Sequence, residues 1–336
     1  MYRLIVHQVL PSKYATVLSP EKTYFLVGCL GGLGASLAKW MLARGARKFV
    51  FQGRSGADRP AARRLVEDLQ SLGAEVTVVR GDVGSKEDVQ RAINSIPGVL
   101  GGVVQAAMGL SEALFTTMTN KAWHTGIGPK LRGTWHLHEA IAEREKTHPL
   151  DFFLMTSSVS GSVGTATESN YCAANHFLDA FARYRRARNL TASSLGLGMI
   201  SEVGYLHENP EIEELLLRKG IQPINEEELL QIVDITLSQD GSTPGFLRAD
   251  PLASSHILTG LEPLALKGLR SKGFDVSNPI LSDPRASLLA TTIDGLSSTG
   301  DDALGAAGAI SAELTQALTE AGESVPLRDT VAALDD

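Results

Sequence analysis

A chain of 336 residues, 43% hydrophobic with 33 glycines, has the size of one large α/β domain with additions, or of two domains, and the composition of a globular, turn-rich protein. Its two cysteines, Cys29 and Cys172, exclude a disulfide framework and point to a reducing, cytoplasmic setting; the N-terminal MYRLIVHQVLPSK lacks a signal-peptide core, and no apolar run reaches the roughly eighteen residues that a membrane span needs. The net charge of −7 is unevenly spread, +7 over residues 1–205 and −14 over residues 206–336, which leaves open a basic part that attracts an anionic cofactor or acidic partner, or a plain soluble surface with an acidic tail.

In chain order, Thr23–Gly28 (TYFLVG) reads as a strand and Gly32 to Arg44 as a helix. KFVFQG (Lys48–Gly53) is the next strand, Arg59–Leu72 a helix, Glu75–Asp82 a strand and Ser85–Ser95 a helix. Val99–Ala107, Asp151–Ser158 and Thr191–Gly198 are further apolar strands. Short apolar strands alternating with helical stretches predict an α/β, Rossmann-like, doubly wound parallel sheet with helices on both faces. Beyond Ile200 the pattern changes. Glu208–Gly220 reads as a short amphipathic helix, and Asn225–Gln239 as a helix with an Asn cap and an acidic first turn. Ser254–Glu262 is a candidate last strand. From Ala286 the chain is rich in Ala, Gly, Ser and Thr, the composition of a linker, with a candidate helix at Ala312–Ala321.

GCLGGLG (Gly28–Gly34) joins the first strand to the first helix, with Gly28, Gly32 and Gly34 in the spacing GxxxGxG. Glycine lets the backbone turn tightly and approach a pyrophosphate, while a helix N-terminus supplies N–H donors and the positive end of its dipole. Glycine turns also serve packing alone, but this one's place in the first βα unit favours a dinucleotide. Gly28, Gly31, Gly32, Leu33 and Gly34 are therefore candidate cofactor residues. The second strand ends in QGRSG, where an NAD site typically has an acid for the ribose 2′-hydroxyl. Arg54 stands there beside Ser55. An arginine suits a 2′-phosphate, so the expected cofactor is NADPH; the alternative is an ordinary surface arginine. Asp82, with Val83, follows the third strand and is placed to contact the adenine, unless it simply caps the next helix. Gln105, Ala106 and Ala107 end the fourth strand, where small residues let a cofactor lie against backbone.

Tyr171 follows Ser158 by thirteen positions, a spacing that resembles the serine and tyrosine of short-chain dehydrogenases/reductases. Those enzymes carry a lysine four residues after the tyrosine; here Asn175 stands in that place, on the same helical face as Tyr171. A phenol titrates near 10 and needs help to work near neutral pH. A nearby ammonium supplies it, and Lys130, in the helical stretch GPKLRGTWHLHEA before the Ser158 strand, is the candidate.

VGCLGGLG, QGRSG, GDV, PKLRGTWHLH, SSV and YCAANHFLDAF together resemble the ketoreductase domains of polyketide synthases, over about Thr23–Pro284. In that family the lysine and asparagine have exchanged places, so the resemblance implies that Lys130 takes the role of the absent lysine, with Asn175, Ser158 and Tyr171 as its catalytic companions. HILTGLE and DPR are similar to the post-catalytic segment of fungal highly reducing, iterative synthases. The resemblance implies NADPH-dependent reduction of a β-ketoacyl chain on an acyl carrier protein, with neighbouring synthase domains as partners and no nucleic acid or membrane. It also implies a division into an upstream linker segment (1–22), a catalytic domain (23–285) with a lid region at about 200–225, and a linker (286–336) toward a carrier domain. Departures concern Cys29, QAAM in place of HAAG, and Leu110–Ser111–Glu112 in place of LDD. A free-standing reductase of small ketones and a non-catalytic scaffold are the rival readings. Trp123, Trp135 and Phe177 are expected in the core, and the arginines of FARYRRARNL are read as complementing a helix dipole or contacting a carrier.

Overall fold

Alternate residues of each central strand are buried against opposite helical layers, which is why the apolar runs carry no polar face. The computed structural model describes residues 16–201, 223–237 and 255–260, together with Gly273. Its strands are β1 (Thr23–Val27), β2 (Lys48–Gly53), β3 (Glu75–Arg80), β4 (Leu100–Gln105), β5 (Phe152–Ser158), β6 (Ser193–Leu197) and β7 (His256–Leu258). The helices are α1 (Gly32–Ala43), α2 (Pro60–Ser71), α3 (Lys86–Asn94), α4 (Asn120–Thr147), α5 (Ser160–Val163), α6 (Ser169–Arg186) and α7 (Glu226–Leu237). The seven strands form one parallel sheet in the order β3-β2-β1-β4-β5-β6-β7. Phe25, Val27, Val50, Val103, Phe153 and Met155 share a core with Val89 and Ile93 of α3, Leu137 and Ile141 of α4, and Leu178 and Phe181 of α6. The intervening residues Tyr24, Leu26, Phe49, Phe51, Val104 and Leu154 pack with Leu37 and Met41 of α1, Leu65 and Leu69 of α2, and Val233 of α7. The doubly wound architecture read from the sequence is the observed one.

Strand order reverses between β1 and β4, so a crevice opens beyond the C-terminal ends of these two strands, where such sheets bind ligands. β2 and β5 end where the apolar runs do, whereas β1, β3, β4 and β6 end one or two residues earlier; at β1 the chain already turns into that crevice at Gly28, with φ +76°. At α7, Asn225 Oδ1 accepts from Glu228 N and Glu228 Oε2 accepts from Asn225 N, each at 2.9 Å, a reciprocal cap on an acidic first turn. The last strand occupies His256–Leu258 within the expected Ser254–Glu262. The two ends of the expected lid meet in a bridge between Ile200 and Ile224. The expected helices at Glu208–Gly220 and Ala312–Ala321, the N-terminal segment as far as Tyr14 and the linker from Ala286 lie outside the described residues. Trp135 and Phe177 pack on the core as expected. Trp123 does not: it is half-buried at the rim, edge-on to the exposed Phe115 with ring centroids 6.5 Å apart. No helix among the described residues is long and apolar enough to cross a membrane.

Candidate active site

The glycine-rich turn is held close to the end of β4. Ala106 N donates to Val27 O and Gly28 N donates to Gln52 O, both at 2.9 Å. A Cβ on Gly28 would lie 2.6 Å from the Ala107 backbone, and one on Gly34 would lie 2.2 Å from Cys29 Cα. These two glycines serve close packing of helix on strand. Gly31 differs. It is the N-cap of α1, in extended conformation, and a Cβ there would meet nothing within 4 Å. No side chain caps the first turn of α1; Gly34 N donates to Gly31 O at 3.1 Å, and the amides of Gly32 and Leu33 before it are those an anion can approach across the space Gly31 leaves. Gly32, with φ +50°, opens the helix. Leu33 turns its side chain the other way, against the cluster of Leu195, Leu197, Ile200 and Ile224, so any part it plays toward a cofactor is through its backbone.

At the end of β2, Arg54 is exposed and makes no ion pair or hydrogen bond with any described residue, whereas nearby Arg80 is paired with Asp58 at 2.8 Å. Ser55 is half-buried in the same turn, its carbonyl taken by Asp58 N. Asp82 does not cap α3. Ser85 does, accepting from Asp88 N, while Asp82 Oδ1 accepts from Gly84 N at 2.8 Å. The Val83 side chain is core, and its carbonyl lies 3.2 Å from His136 Nδ1. Gln105 is fully buried with its amide committed: Nε2 donates to Pro129 O at 2.9 Å and Oε1 accepts from Ala107 N at 3.1 Å. It thereby links β4 to α4 at the turn before Lys130 and fixes the Ala106–Ala107 backbone. The open space at Gly31, the helix amides that no side chain caps and an unengaged arginine at the adjoining strand end fit a phosphorylated dinucleotide.

Lys130, Ser158, Tyr171 and Asn175 converge at the same C-terminal edge, from α4, β5 and α6. Lys130 is 3% exposed and donates to Thr156 O at 2.6 Å, with Nζ 6.0 Å from the Tyr171 ring centroid. Burial pulls its pKa down from 10.5 to about 8, and the charge of Asp179 acts in the opposite direction. The Tyr171 phenol is pushed up by burial, while hydrogen bonds with Ser158 and Asn175 work against that. Lys130 is not among the groups that set this balance. Ser158 Oγ accepts from Ser160 N at 3.2 Å. Asn175 Nδ2 donates to Tyr171 O at 2.9 Å, and its Oδ1 is buried without a partner among the described residues.

Several residues that sequence reasoning passed over hold this arrangement. Asn170 is fully buried; its Nδ2 donates to Ser111 O (3.0 Å) and Ala122 O (2.9 Å), and its Oδ1 accepts from Tyr171 N (2.8 Å). It therefore ties the start of α6 both to α4 and to the segment after β4. Its position just before the tyrosine was the signal available. Arg185, read with its neighbours as complementing a helix dipole or contacting a carrier, is fully buried, 2.6 Å from Glu145 Oε1 and 2.7 Å from His138 Nδ1. Burial and this guanidinium bring the His138 pKa down to about 4, so a neutral imidazole accepts from Arg185. Arg186 donates to Ala192 O and Arg188 stacks over Tyr184. These arginines lock α6 to α4 and to the sheet. Cys29 is buried, with its thiol pushed up to about 12, which makes it a packing residue.

A parallel, doubly wound sheet with a glycine-rich first turn and a serine–tyrosine pair at its C-terminal edge places the protein among the short-chain dehydrogenase/reductase folds. The family model described as KR domain matches residues 22–202, more than half of the chain. A highly reducing polyketide synthase of Neurospora crassa, srdA, is 64% identical over 92% of the chain. Highly reducing polyketide synthase 19 of Pyricularia oryzae is 59% identical over 93%. The chain spans only 13% and 12% of the length of these two relatives. An A1-type ketoreductase structure superposes with a TM-score of 0.68 at 26% identity, covering 85% of this chain and 56% of that one. A structure of A-type ketoreductases from a modular polyketide synthase gives 0.64 at 30% identity, over 70% of this chain and 49% of that one. The chain belongs to the KR domain family, the ketoreductases of polyketide synthases, and is an oxidoreductase domain.

Proposed function

We propose that this domain reduces a β-ketoacyl thioester, held on an acyl carrier protein, to the β-hydroxyacyl thioester during polyketide biosynthesis, with NADPH as cofactor. The observation that carries the reading is the meeting of Lys130, Ser158, Tyr171 and Asn175 beside the glycine turn. Gly28, Gly31, Gly32 and Gly34 with the first-turn amides of α1 would hold the pyrophosphate, and Arg54 with Ser55 the 2′-phosphate. Asp82 and the backbone of Val83 would hold the adenine, and the Ala106–Ala107 backbone would line the floor. What a cofactor held by these residues would supply is the hydride that the β-carbon receives.

The chain's own groups manage the proton. Burial keeps the Tyr171 phenol protonated at neutral pH, the form from which it donates to the carbonyl oxygen. Ser158 donates a hydrogen bond to that oxygen as charge builds on it. The Lys130 ammonium stabilises the phenolate left on Tyr171. Asn175 fixes the start of α6 through Tyr171 O, and its partnerless buried Oδ1 suits a water that returns a proton to the site. Met108, Leu114 and Phe115, exposed after β4, offer apolar surface to an acyl chain. Residues 23–285 would form the catalytic unit, between an upstream linker and a C-terminal tether toward the carrier domain.

Turnover with NADPH and a β-ketoacyl pantetheine thioester, compared with a simple cyclic ketone, tests this reading. The thioester should be strongly preferred, and chiral analysis of the product gives its configuration. Equal use of the cyclic ketone would favour a free-standing reductase. NADPH binding without turnover of either compound would favour a scaffold.

A further inference from the structure

Tyr171, Asn175 and Asp179 follow one another at intervals of four on α6, so they share one face of the helix. Asp179 plays no part in the proton chemistry just described, yet it is fully buried on the side from which Lys130 is approached. Its Oδ1 accepts from Ser194 Oγ of β6 at 2.6 Å and lies 3.4 Å from His256 Nε2 of β7. Ser194 and His256 are register partners in adjacent strands, so the carboxylate is fixed from below by the sheet. Its Oδ2 is buried with no hydrogen-bond partner among the described residues. A buried carboxylate left with a free oxygen is costly unless an opposite charge stands nearby.

Ser194 pairs in register with Met155, the neighbour of the Thr156 whose carbonyl takes Lys130, and α4 and α6 pack in one core on that face of the sheet, so the opposite charge on Asp179's side is Lys130 of α4. Lys130 is as deeply buried and donates to a neutral carbonyl, Thr156 O on β5. Among the described residues, the titratable groups of α6 placed beside it are Tyr171, whose ring centroid lies 6.0 Å from Nζ, and Asp179, while β5 presents Thr156, Ser157 and Ser158. Glu168 and Cys172 act on Tyr171 rather than on the lysine. Asp179 is thus the anion of this interior. We propose that Asp179 is a positioning residue for the reduction: its carboxylate, anchored by Ser194, is the counter-charge that keeps Lys130 an ammonium. The role rests on the reading of Lys130 given above. In the same direction, the charge of Asp179 raises the lysine pKa against the pull of burial.

The test is the pH dependence of kcat/KM for a β-ketoacyl pantetheine thioester in Asp179→Asn, a near-isosteric change that keeps a partner for Ser194. Loss of the charge moves the alkaline limb to lower pH by about one unit, so the rate at pH 8–9 falls about tenfold while the two profiles converge near pH 6. NADPH affinity stays at the wild-type value. Lys130→Ala and Lys130→Ala/Asp179→Asn should have the same profile, because the carboxylate then has no ammonium to hold. A folded Asp179→Asn protein with the wild-type alkaline limb, beside a Lys130→Ala protein whose limb has moved, overturns the role of Asp179 alone. An unchanged Lys130→Ala profile overturns the reading of Lys130 and this role with it. Should Asp179→Asn fail to fold, Asp179→Ser with added formate replaces it: formate should restore the alkaline limb, and a limb indifferent to formate overturns the role. Failure of both variants to fold would make Asp179 a structural residue and overturn the proposal.

Discussion

Replacing Gly31 by alanine separates stability from cofactor affinity. Gly31 has φ −171° and ψ 175°, a conformation open to any residue, and a Cβ there meets nothing within 4 Å. Alanine also restricts the unfolded chain, so the folded protein should be unchanged or gain up to about 1 kcal/mol. The added methyl occupies the space through which a pyrophosphate reaches the first-turn amides of α1. Weakening one or two charge-assisted hydrogen bonds costs about 1.5–3 kcal/mol, and about 1.4 kcal/mol is a factor of ten. NADPH should therefore bind roughly ten- to a hundredfold more weakly. Gly28→Ala is the control. Its φ of +76° is strained for alanine by about 1–2 kcal/mol, and its Cβ would press on the Ala107 backbone at 2.6 Å, so it should lose stability as well as affinity. Urea unfolding and fluorescence titration with NADPH measure the two quantities. Wild-type affinity in Gly31→Ala would place the pyrophosphate elsewhere; a destabilised Gly31→Ala would mean that the space is not open.

Arg54→Ala should weaken NADPH much more than NADH, by about 1.5–3 kcal/mol; equal effects on both cofactors in titrations would remove Arg54 from the 2′-phosphate. Tyr171→Phe should bind NADPH and scarcely turn over the thioester, as single-turnover measurements can establish. Lys130 carries a folded pKa of about 8 against an ordinary 10.5, so the unfolded chain holds its proton where the folded one has lost it. Wild-type stability should accordingly rise relative to Lys130→Met between pH 8 and 10.5, by up to ~3 kcal/mol in urea unfolding, while the wild-type turnover that needs the ammonium falls as pH rises through about 8. A flat stability difference would mean that Lys130 is not buried as an ammonium. Glu145→Ala strands the buried Arg185 and should cost about 3–5 kcal/mol in the same assay, whereas Glu145→Leu with Arg185→Met should cost little.

Strands, helix caps and the glycine turn were legible because they are set by neighbours within a few residues. TYFLV is β-branched, aromatic or aliphatic throughout and is buried at every position, as a strand of a parallel sheet covered on both faces requires. Asn225 and Glu228 cap their helix at a separation of three. The spacing of Ser158 and Tyr171 was legible as well, since the end of β5 and the start of α6 carry them thirteen positions apart. What tertiary structure decided involves partners far apart in sequence. Asp179 meets Ser194 and His256, and Asn170 meets Ser111, only after α6 has packed onto the sheet and α4. In the sequence Arg185 is one of four arginines near a helix end; only the fold sets it against Glu145 and His138, forty or more residues earlier. The state of the lysine is the clearest case. Sequence identified Lys130 by its type and place, but its pKa is set by loss of water and by the charge of Asp179. Desolvation is a property of everything packed around a group, and a linear chain does not display it.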